Sequence, residues 1–223
     1  FAADSQAAQT YQKYVVATDH PEASQAGLEV LEQGGNVVDA AVATSFALSV
    51  VRPESCGIGG GGFMVIWDAA TRSSVAIDYR ERAPDAATQD MFIPRPGKTA
   101  QNSSRVGGLA AAIPGTVVGL CHVQQKYGKL SLPEVMAPAI RLAKQGVLVD
   151  EHQIETQRSI LKKFASNPAD QQQYSVLYEK YLNGGKLWKS GDRFYSPQLA
   201  VLELIAAQGP GAFYTGPVAD ALV

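Results

Sequence analysis

A chain of 223 residues with 46% hydrophobic and 18% charged residues is long enough to bury a sizeable core, and its composition excludes a disordered protein. The formal net charge of −2 gives no electrostatic reason to expect nucleic acid or an anionic membrane as a partner. The longest apolar stretch, Val37 to Val51, is interrupted by polar residues such as Asp39 and Ser49, so it predicts a buried helix rather than a membrane span.

The first predicted elements precede a glycine-rich region. Tyr14 to Thr18 is short and β-branched, which predicts a strand. Glu22 to Gln33 has apolar residues at helical spacing, and Gly34-Gly35-Asn36 predicts the end of that helix. A second helix is predicted from about Val37 to Val50. Its alanines would allow neighbouring layers to approach closely, which is typical of a central buried helix.

A tight glycine turn is predicted from Gly57 to Gly62, after Arg52-Pro53 ends the second helix. Two apolar-rich segments, Phe63 to Asp68 and Ser74 to Tyr79, follow this turn and predict a hairpin. Arg80 comes directly after the second strand, at the mouth of the sheet. Functional groups are often found at such positions.

The remainder of the chain is predicted to be mainly helical. Residues 86–106 are polar and contain prolines, which predicts a surface loop, and residues 182–190 predict a turn. Helical spacing is found at residues 116–125, 132–144, 151–164 and 196–208. The chain begins with Phe1 rather than Met, and the helix that starts at Pro217 has no C-cap. We therefore expect a trimmed piece of a longer protein.

The glycine turn could bind an anion through successive backbone amides. It lacks the Lys-Ser/Thr pair of a phosphate-binding loop, and it leads into a strand rather than a helix. Nucleotide binding is therefore disfavoured. We predict instead that this turn brings backbone close to a substrate or to a neighbouring strand.

Arg80 is the strongest candidate for a ligand-binding residue. A guanidinium group is a planar fork that suits a bidentate interaction with a substrate carboxylate. A structural ion pair with Asp78, Glu81 or Asp85 is equally compatible with the local pattern. The residues alone leave both interpretations open.

No segment clearly supplies a nucleophile, a metal site or a cofactor site. A GxSxG nucleophile motif is absent, and His20, His122 and His152 have no metal-binding spacing. Cys121 and His122 are adjacent on a predicted helix, so their side chains point about 100° apart, which disfavours a catalytic dyad. Cys56 and Cys121 leave a disulfide open. The sequence therefore predicts a substrate-positioning chain with no catalytic residue of its own, no metal and no cofactor.

Several blocks of sequence together resemble the γ-glutamyltransferase (γ-glutamyltranspeptidase) family. They follow the family's order over nearly the whole chain, which makes the resemblance specific. The blocks are residues 16–24, 34–43, 59–64, 78–84, 108–110, 113–119, 127–128 and 209–216.

The resemblance implies an α+β fold of the N-terminal nucleophile hydrolase type, an αββα four-layer sandwich. Residues 1–223 would form only the N-terminal portion of a large subunit, a single domain that is incomplete without the downstream segment. The resemblance also implies a precursor that cleaves itself into a large and a small subunit. A threonine freed at the start of the small subunit would form a γ-glutamyl-enzyme, which water or an amino-acid or peptide amine would then resolve.

The resemblance further implies that Arg80 binds the α-carboxylate of a γ-glutamyl donor, and that the activity is γ-glutamyl transfer or hydrolysis on glutathione-like compounds. Two alternatives have the same fold, a cephalosporin (glutaryl) acylase and a polyglutamate depolymerase. A third is a catalytically inactive relative that only binds a ligand or partner. Family members are usually periplasmic, secreted or at the cell surface, and we expect the same here.

Overall fold

Helices form most of the regular structure in the computed structural model, which describes residues 10–93, 104–167 and 169–222. In chain order the helices and strands are α1 (Pro21–Glu32), α2 (Val37–Val51), β1 (Phe63–Asp68), β2 (Ser73–Asp78), α3 (Thr116–Tyr127), α4 (Leu132–Gln145), β3 (Val147–Leu148), α5 (Glu151–Ser166), α6 (Ala169–Gln173), β4 (Arg193–Phe194), α7 (Leu199–Gln208), α8 (Gly211–Tyr214) and α9 (Pro217–Leu222). Single turns of 3₁₀ helix lie at Gly108–Ala110 and Asn183–Gly185, and a π-helical turn lies at Leu177–Tyr181.

Helix α2 is the centre of the core. It begins with a reciprocal capping box between Asn36 and Asp39. The fully buried Asp39 carboxylate also accepts a hydrogen bond from the backbone amide of Lys129 at 2.9 Å, which ties α2 to the turn between α3 and α4. Phe46 and Val50 have no exposed surface. The predicted central buried helix is confirmed.

Helices α1, α3 and α4 pack against α2. At the start of α1, Nδ1 of His20 accepts a hydrogen bond from the backbone amide of Glu22 at 3.2 Å, and Pro21 occupies the first turn, where its missing N–H costs nothing. Both guanidinium Nη atoms of Arg141 on α4 donate to the carboxylate of Glu29 on α1. This ion pair links α1 to α4 at their polar edge.

The predicted hairpin is confirmed. Strands β1 and β2 pair antiparallel, with Phe63 opposite Asp78 and Asp68 opposite Ser73. The chain reverses at Arg72, whose backbone has a φ of 51°. This turn places the end of β2 beside the start of β1, where the glycine turn leads into the sheet.

The two faces of the hairpin differ in their packing. Met64 and Ile66 point toward the helices and pack against the core. On the opposite face, Phe63, Val65 and Trp67 are 63%, 73% and 60% exposed. Side chains alternate between faces along a strand, so the described chain covers only one side of an apolar hairpin.

The strand predicted at Tyr14 to Thr18 is wrong. Burial alternates along this segment, with Val15 exposed and Val16 half-buried, so the backbone is extended as its β-branched residues favour. A strand also requires a neighbour for its ladder of hydrogen bonds, and the described residues provide none. The segment lies against α2 as unpaired extended chain.

Arg52, at the end of α2, is buried and joins three segments. Its Nη2 atom donates to Asp150 at 2.5 Å, and its Nε atom lies 3.4 Å from a carboxylate oxygen of Asp19. Asp150 also caps α5 by accepting a hydrogen bond from the backbone amide of Gln153 at 2.9 Å. Burial works to raise the pKa of Asp150, but the hydrogen bonds from Arg52 and the Gln153 amide, together with the positive charge of Arg52, outweigh burial and lower that pKa.

The helices predicted in the second half are confirmed, with ends that shift by a few residues. The predicted turn at 182–190 contains the 3₁₀ turn Asn183–Gly185. The pairing of β3 with β4 was not predicted, because strands of two residues carry no readable alternation. The loop predicted at 86–106 has no helix or strand in its described part, and its residues 94–103 lie outside the described residues.

In the three described ranges, no helix is both long enough and apolar enough to cross a bilayer.

Candidate functional site

Arg80 leaves the hairpin at the edge next to the glycine turn. Tyr79 extends the ladder by one pair, because its amide donates to the Gly62 carbonyl at 3.0 Å and its carbonyl accepts from the Gly62 amide at 3.3 Å. Arg80 is the first residue beyond this pair, and its side chain is 61% exposed. Its position was predicted from the sequence, and the structure places it at the mouth of the hairpin.

Arg80 is held by three neighbours, one that contacts its backbone and two that contact its guanidinium. Its backbone amide donates to the Asp78 carboxylate at 2.9 Å, and its Nε atom donates to Oε2 of Glu81 at 3.1 Å. The guanidinium carbon lies 5.7 Å from the centre of the Phe63 ring, within the range of a cation–π contact. Asp85, the third acidic candidate, instead lies 3.7 Å from Arg82.

Arg80 therefore does form a structural ion pair, but only through the inner edge of its guanidinium, the edge that carries Nε. Glu81 occupies Nε, and it is the only described residue that forms an ion pair with this guanidinium. The outer edge, with Nη1 and Nη2, is the edge that can bind a carboxylate in a bidentate manner. The pKa of Glu81 is lowered, first by hydrogen bonding to its own backbone amide and then by the Arg80 side chain, so the partner of Nε is ionised at neutral pH.

The glycine turn connects this site to the start of α3. The Gly60 carbonyl accepts from the amides of Gly115 at 2.8 Å and Thr116 at 2.9 Å. The amides of Gly60 and Gly62 donate to the backbone carbonyls of Gly57 and Tyr79. Because two of the turn's amides are used within the fold, the turn favours close backbone packing over an anion cradle.

Tyr214 supports the start of α3, to which the glycine turn is bonded, and the sequence did not single it out. Its hydroxyl donates to the Pro114 carbonyl at 2.8 Å and accepts from the Val118 amide at 3.2 Å. Burial raises the pKa of this hydroxyl, so it keeps the proton that the first bond requires. The only sequence signal was its position in the block 209–216, which matched the family motif.

The cysteines and histidines do not form a second site. Cys56 and Cys121 are both free thiols, so the disulfide that the sequence left open is not formed. Burial raises the pKa of Cys121 to about 12, while the neighbouring His122 is exposed, and both facts argue against a dyad. Nε2 of His152 lies 3.4 Å from Oε1 of Glu54. Among the residues that the structure describes, no group of three or more His, Cys, Asp or Glu side chains is arranged to hold a metal ion.

A cavity of about 370 Å³ lies away from Arg80, beside α5. Its walls are mainly apolar and include Ile160, Leu182 and Phe194. Gln157, which also lines it, is buried and already bonded to the backbone of residues 182, 186 and 188. The cavity contains no pairing of a nucleophile with a base, so Arg80 and its surroundings are the better candidate site.

Comparisons with known proteins agree with the motifs. The family model described as gamma-glutamyltranspeptidase matches residues 23–223. The chain is 40% identical over 210 residues to the "Glutathione hydrolase proenzyme" of Bacillus subtilis (strain 168), covering 93% of this chain and 34% of that protein. It is 39% identical over 215 residues to the "Acylase ACY 1 proenzyme" of Pseudomonas sp. (strain V22), covering 93% of this chain and 37% of that protein.

A solved structure confirms the expected fold. The crystal structure of Helicobacter pylori gamma-glutamyltranspeptidase superposes with a TM-score of 0.84 and 38% sequence identity, covering 96% of this chain and 60% of that chain. The α+β fold of the N-terminal nucleophile hydrolases is therefore the fold of this chain, which spans only part of the length of its relatives. On the family model, the sequence relatives and this superposition together, the chain belongs to the γ-glutamyltranspeptidase family.

Proposed function

We propose that the whole protein transfers or hydrolyses the γ-glutamyl group of glutathione-like compounds, and that Arg80 binds the α-carboxylate of the donor. The observation that carries this proposal is the outer edge of the Arg80 guanidinium, exposed at the mouth of the hairpin while Glu81 holds the inner edge. A carboxylate that approaches this edge meets two parallel N–H donors, which is the strongest geometry for such a contact.

The chemistry would require a second chain. In the proposed reaction, the hydroxyl of a threonine at the start of a small subunit attacks the γ-carbonyl of the donor. The donor's amine leaves with a proton, and water or an amino-acid or peptide amine then takes the glutamyl group from the enzyme. Arg80 would hold the donor at its far end, so that the γ-carbonyl is presented to the nucleophile in a fixed orientation.

The proposed partner is a small subunit cut from the same precursor. The exposed apolar face of the hairpin, with Phe63, Val65 and Trp67, supports a second layer packed on this side. The unpaired extended segment at Tyr14 to Thr18 supports an added strand beside it. The names of the relatives, which describe proenzymes, and the part of their length that this chain covers are consistent with a processed precursor. We place the protein in the periplasm, outside the cell or at the cell surface, as the family resemblance implies.

An acylase is a second candidate, because one relative at 39% identity is named as such. A glutaryl group has a terminal carboxylate but no α-amino group, so Arg80 would bind both kinds of donor. A γ-glutamyl anilide and a glutaryl anilide separate the two activities, since only the first carries the amine.

The proposal is tested first on the full-length precursor, by mass spectrometry and N-terminal sequencing of every chain. We expect a second chain in equal amount that begins with Thr, together with release of aniline from the γ-glutamyl donor in preference to the glutaryl donor. A single unprocessed chain without activity would overturn the proposal and favour an inactive binding protein. Preference for the glutaryl donor would favour the acylase.

Arg80 is tested in the same protein. Arg80→Ala should raise KM for γ-glutamyl donors by at least about tenfold, because a charged hydrogen-bonded contact is lost. Arg80→Lys keeps the charge but not the planar fork, so its KM should also rise. Unchanged donor kinetics in both variants would remove Arg80 from the site.

A further inference from the structure

The segment that carries Arg80 runs between two glycines from different turns. A Cβ added at Gly61 would lie 2.6 Å from the Tyr79 carbonyl oxygen, 2.7 Å from the Glu81 nitrogen and 2.9 Å from the Arg80 carbonyl carbon. A Cβ added at Gly115 would lie 2.0 Å from the Tyr79 carbonyl oxygen and 2.8 Å from that of Arg80. Every one of these atoms belongs to the backbone, so no rotation of a side chain could relieve the contact.

The two glycines are also held at a fixed separation. The Gly60 carbonyl accepts from the amides of Gly115 and Thr116, which ties the glycine turn directly to the start of α3. A second link is formed one residue beyond Arg80, where Arg82 and Ile113 exchange backbone hydrogen bonds of 3.2 and 2.9 Å. The backbone of residues 79–81 therefore cannot move away from one glycine without meeting the other.

We propose that Gly61 and Gly115 form a backbone clamp that sets the position of the Arg80 guanidinium, and that this clamp gives the enzyme its selectivity for donors with an α-carboxylate. The inference rests on the proposed function of Arg80 and assigns to the glycines the role of positioning residues. They touch no substrate, and they act only through the backbone from which Arg80 projects.

The exposure of Arg80 makes the clamp necessary. An exposed arginine has several rotatable bonds, and only Glu81 and the Phe63 ring contact its guanidinium among the described residues. Two such contacts orient the group only if its Cα stays in place. A displacement of about 1 Å in a binding group is enough to cost a large part of its catalytic effect.

The glycine run contains its own matched control. At Gly59 an added Cβ meets nothing within 4 Å, and the backbone there does not require glycine. Gly59→Ala and Gly61→Ala are therefore the same chemical change two residues apart, with and without contact to the Arg80 segment. A general effect of stiffening the turn would be found in both variants.

The experiment uses the full-length, processed protein and two anilide donors. One is the γ-glutamyl anilide, and the other is the 4-aminobutyryl anilide, which lacks only the α-carboxylate. The readout is kcat/KM for the γ-glutamyl anilide divided by kcat/KM for the 4-aminobutyryl anilide. We expect Gly61→Ala to lower this ratio by about tenfold or more, mainly through KM of the γ-glutamyl donor, and Gly59→Ala to leave it at the wild-type value. A merely structural defect would lower kcat/KM for both donors and leave the ratio unchanged.

Arg80→Ala separates failure of the clamp from failure of the proposed function. If Arg80→Ala lowers the ratio and Gly61→Ala does not, the clamp is wrong and the role of Arg80 stands. If Arg80→Ala leaves the ratio unchanged, the assignment of Arg80 itself fails, and the clamp fails with it.

If Gly61→Ala prevents folding or processing, Gly62→Ala tests the clamp in its place. The added Cβ would lie 3.0 to 3.2 Å from Cε2, the hydroxyl oxygen and Cζ of Tyr79, a milder contact on the same segment. The Tyr79 side chain is also packed closely against Gly119 on α3, where an added Cβ would lie 2.3 Å from the Tyr79 Cβ, so the ring cannot turn away freely and the displacement is passed to the backbone. A lowered ratio in this variant supports the clamp, and an unchanged ratio in correctly folded protein overturns it.

Discussion

The Nε atom of Arg80 lies 3.1 Å from Oε2 of Glu81, so the inner edge of the guanidinium is occupied before any ligand binds. The two residues are neighbours in sequence, and side chains of adjacent residues meet in this way only when the backbone turns between them. Here the turn follows the last pair of the hairpin, between Tyr79 and Gly62. The rest of the guanidinium forms no ion pair with another described residue, and the side chain is 61% exposed.

This contact predicts different effects for two changes of Glu81. Glu81→Ala leaves Nε without its partner, so on the proposed role of Arg80 we expect KM for γ-glutamyl donors to rise by about tenfold. Glu81→Gln keeps an acceptor oxygen, so the rise should be smaller. Steady-state kinetics on the processed full-length protein measure both. Equal effects would mean that the charge of Glu81, rather than its orientation of Arg80, is what matters.

Asp150 predicts a graded loss of stability, because it serves both the buried Arg52 and the start of α5. Asp150→Asn keeps an oxygen that can cap the helix but removes the charge. It should lower the free energy of unfolding by about 2 kcal/mol, since the buried guanidinium loses its closest anion. Asp150→Ala should cost about 1 kcal/mol more, because the cap is lost as well. Urea denaturation of the full-length protein measures both, and the reverse order would contradict this account.

His20 predicts a loss of stability in mild acid. Burial, and next the positive charge of Arg52, lower the pKa of His20, while Asp150, Glu22 and Asp19 oppose this shift. The neutral ring is the form that caps α1, since Nδ1 accepts from the Glu22 amide. The unfolded chain takes up a proton at about pH 6.5, and the folded chain only at a lower pH. The stability that neutral His20 contributes is therefore complete above about pH 6.5 and is lost as pH falls through the pKa of His20 in the folded protein.

A matched variant isolates the effect of His20. His20→Asn keeps a capping oxygen but does not titrate. On acidification from pH 7.5 to pH 5, the melting temperature of the wild type should fall relative to that of His20→Asn. Other titrating groups are common to both proteins and cancel in the difference. A constant difference over this range would show that His20 does not couple to folding.

Asp39 is expected to be the most sensitive polar position of the core. Its fully buried carboxylate accepts from the backbone amides of Asn36 at 2.9 Å and Lys129 at 2.9 Å. Asp39→Ala leaves buried N–H groups without partners and should lower the free energy of unfolding by about 3 kcal/mol. Asp39→Asn retains one acceptor and should cost less. Equal losses in urea denaturation would mean that the charge, rather than the hydrogen bonds, is responsible.

Much of the local structure was readable from the sequence. The apolar, alanine-rich run of α2 and the two apolar segments of the hairpin were predicted, because each pattern extends over six or more residues. The failure at Tyr14 to Thr18 has the opposite cause. Its residues favour an extended backbone, but strand formation depends on a partner that no local pattern can supply.

At Arg80, too, some features could be predicted from the sequence and others depended on the tertiary structure. The sequence by itself determined that an arginine follows the second strand, and family motifs indicated what it would bind. Only the tertiary structure decided that Glu81 bonds to Nε of Arg80, that Gly61 and Gly115 enclose the backbone of Arg80, and that Tyr214 braces the start of α3. The contacts of Gly61, Gly115 and Tyr214 join residues far apart in the chain at distances set by packing, and the Arg80–Glu81 contact depends on how the backbone turns after the hairpin. Helix and strand patterns report on neither.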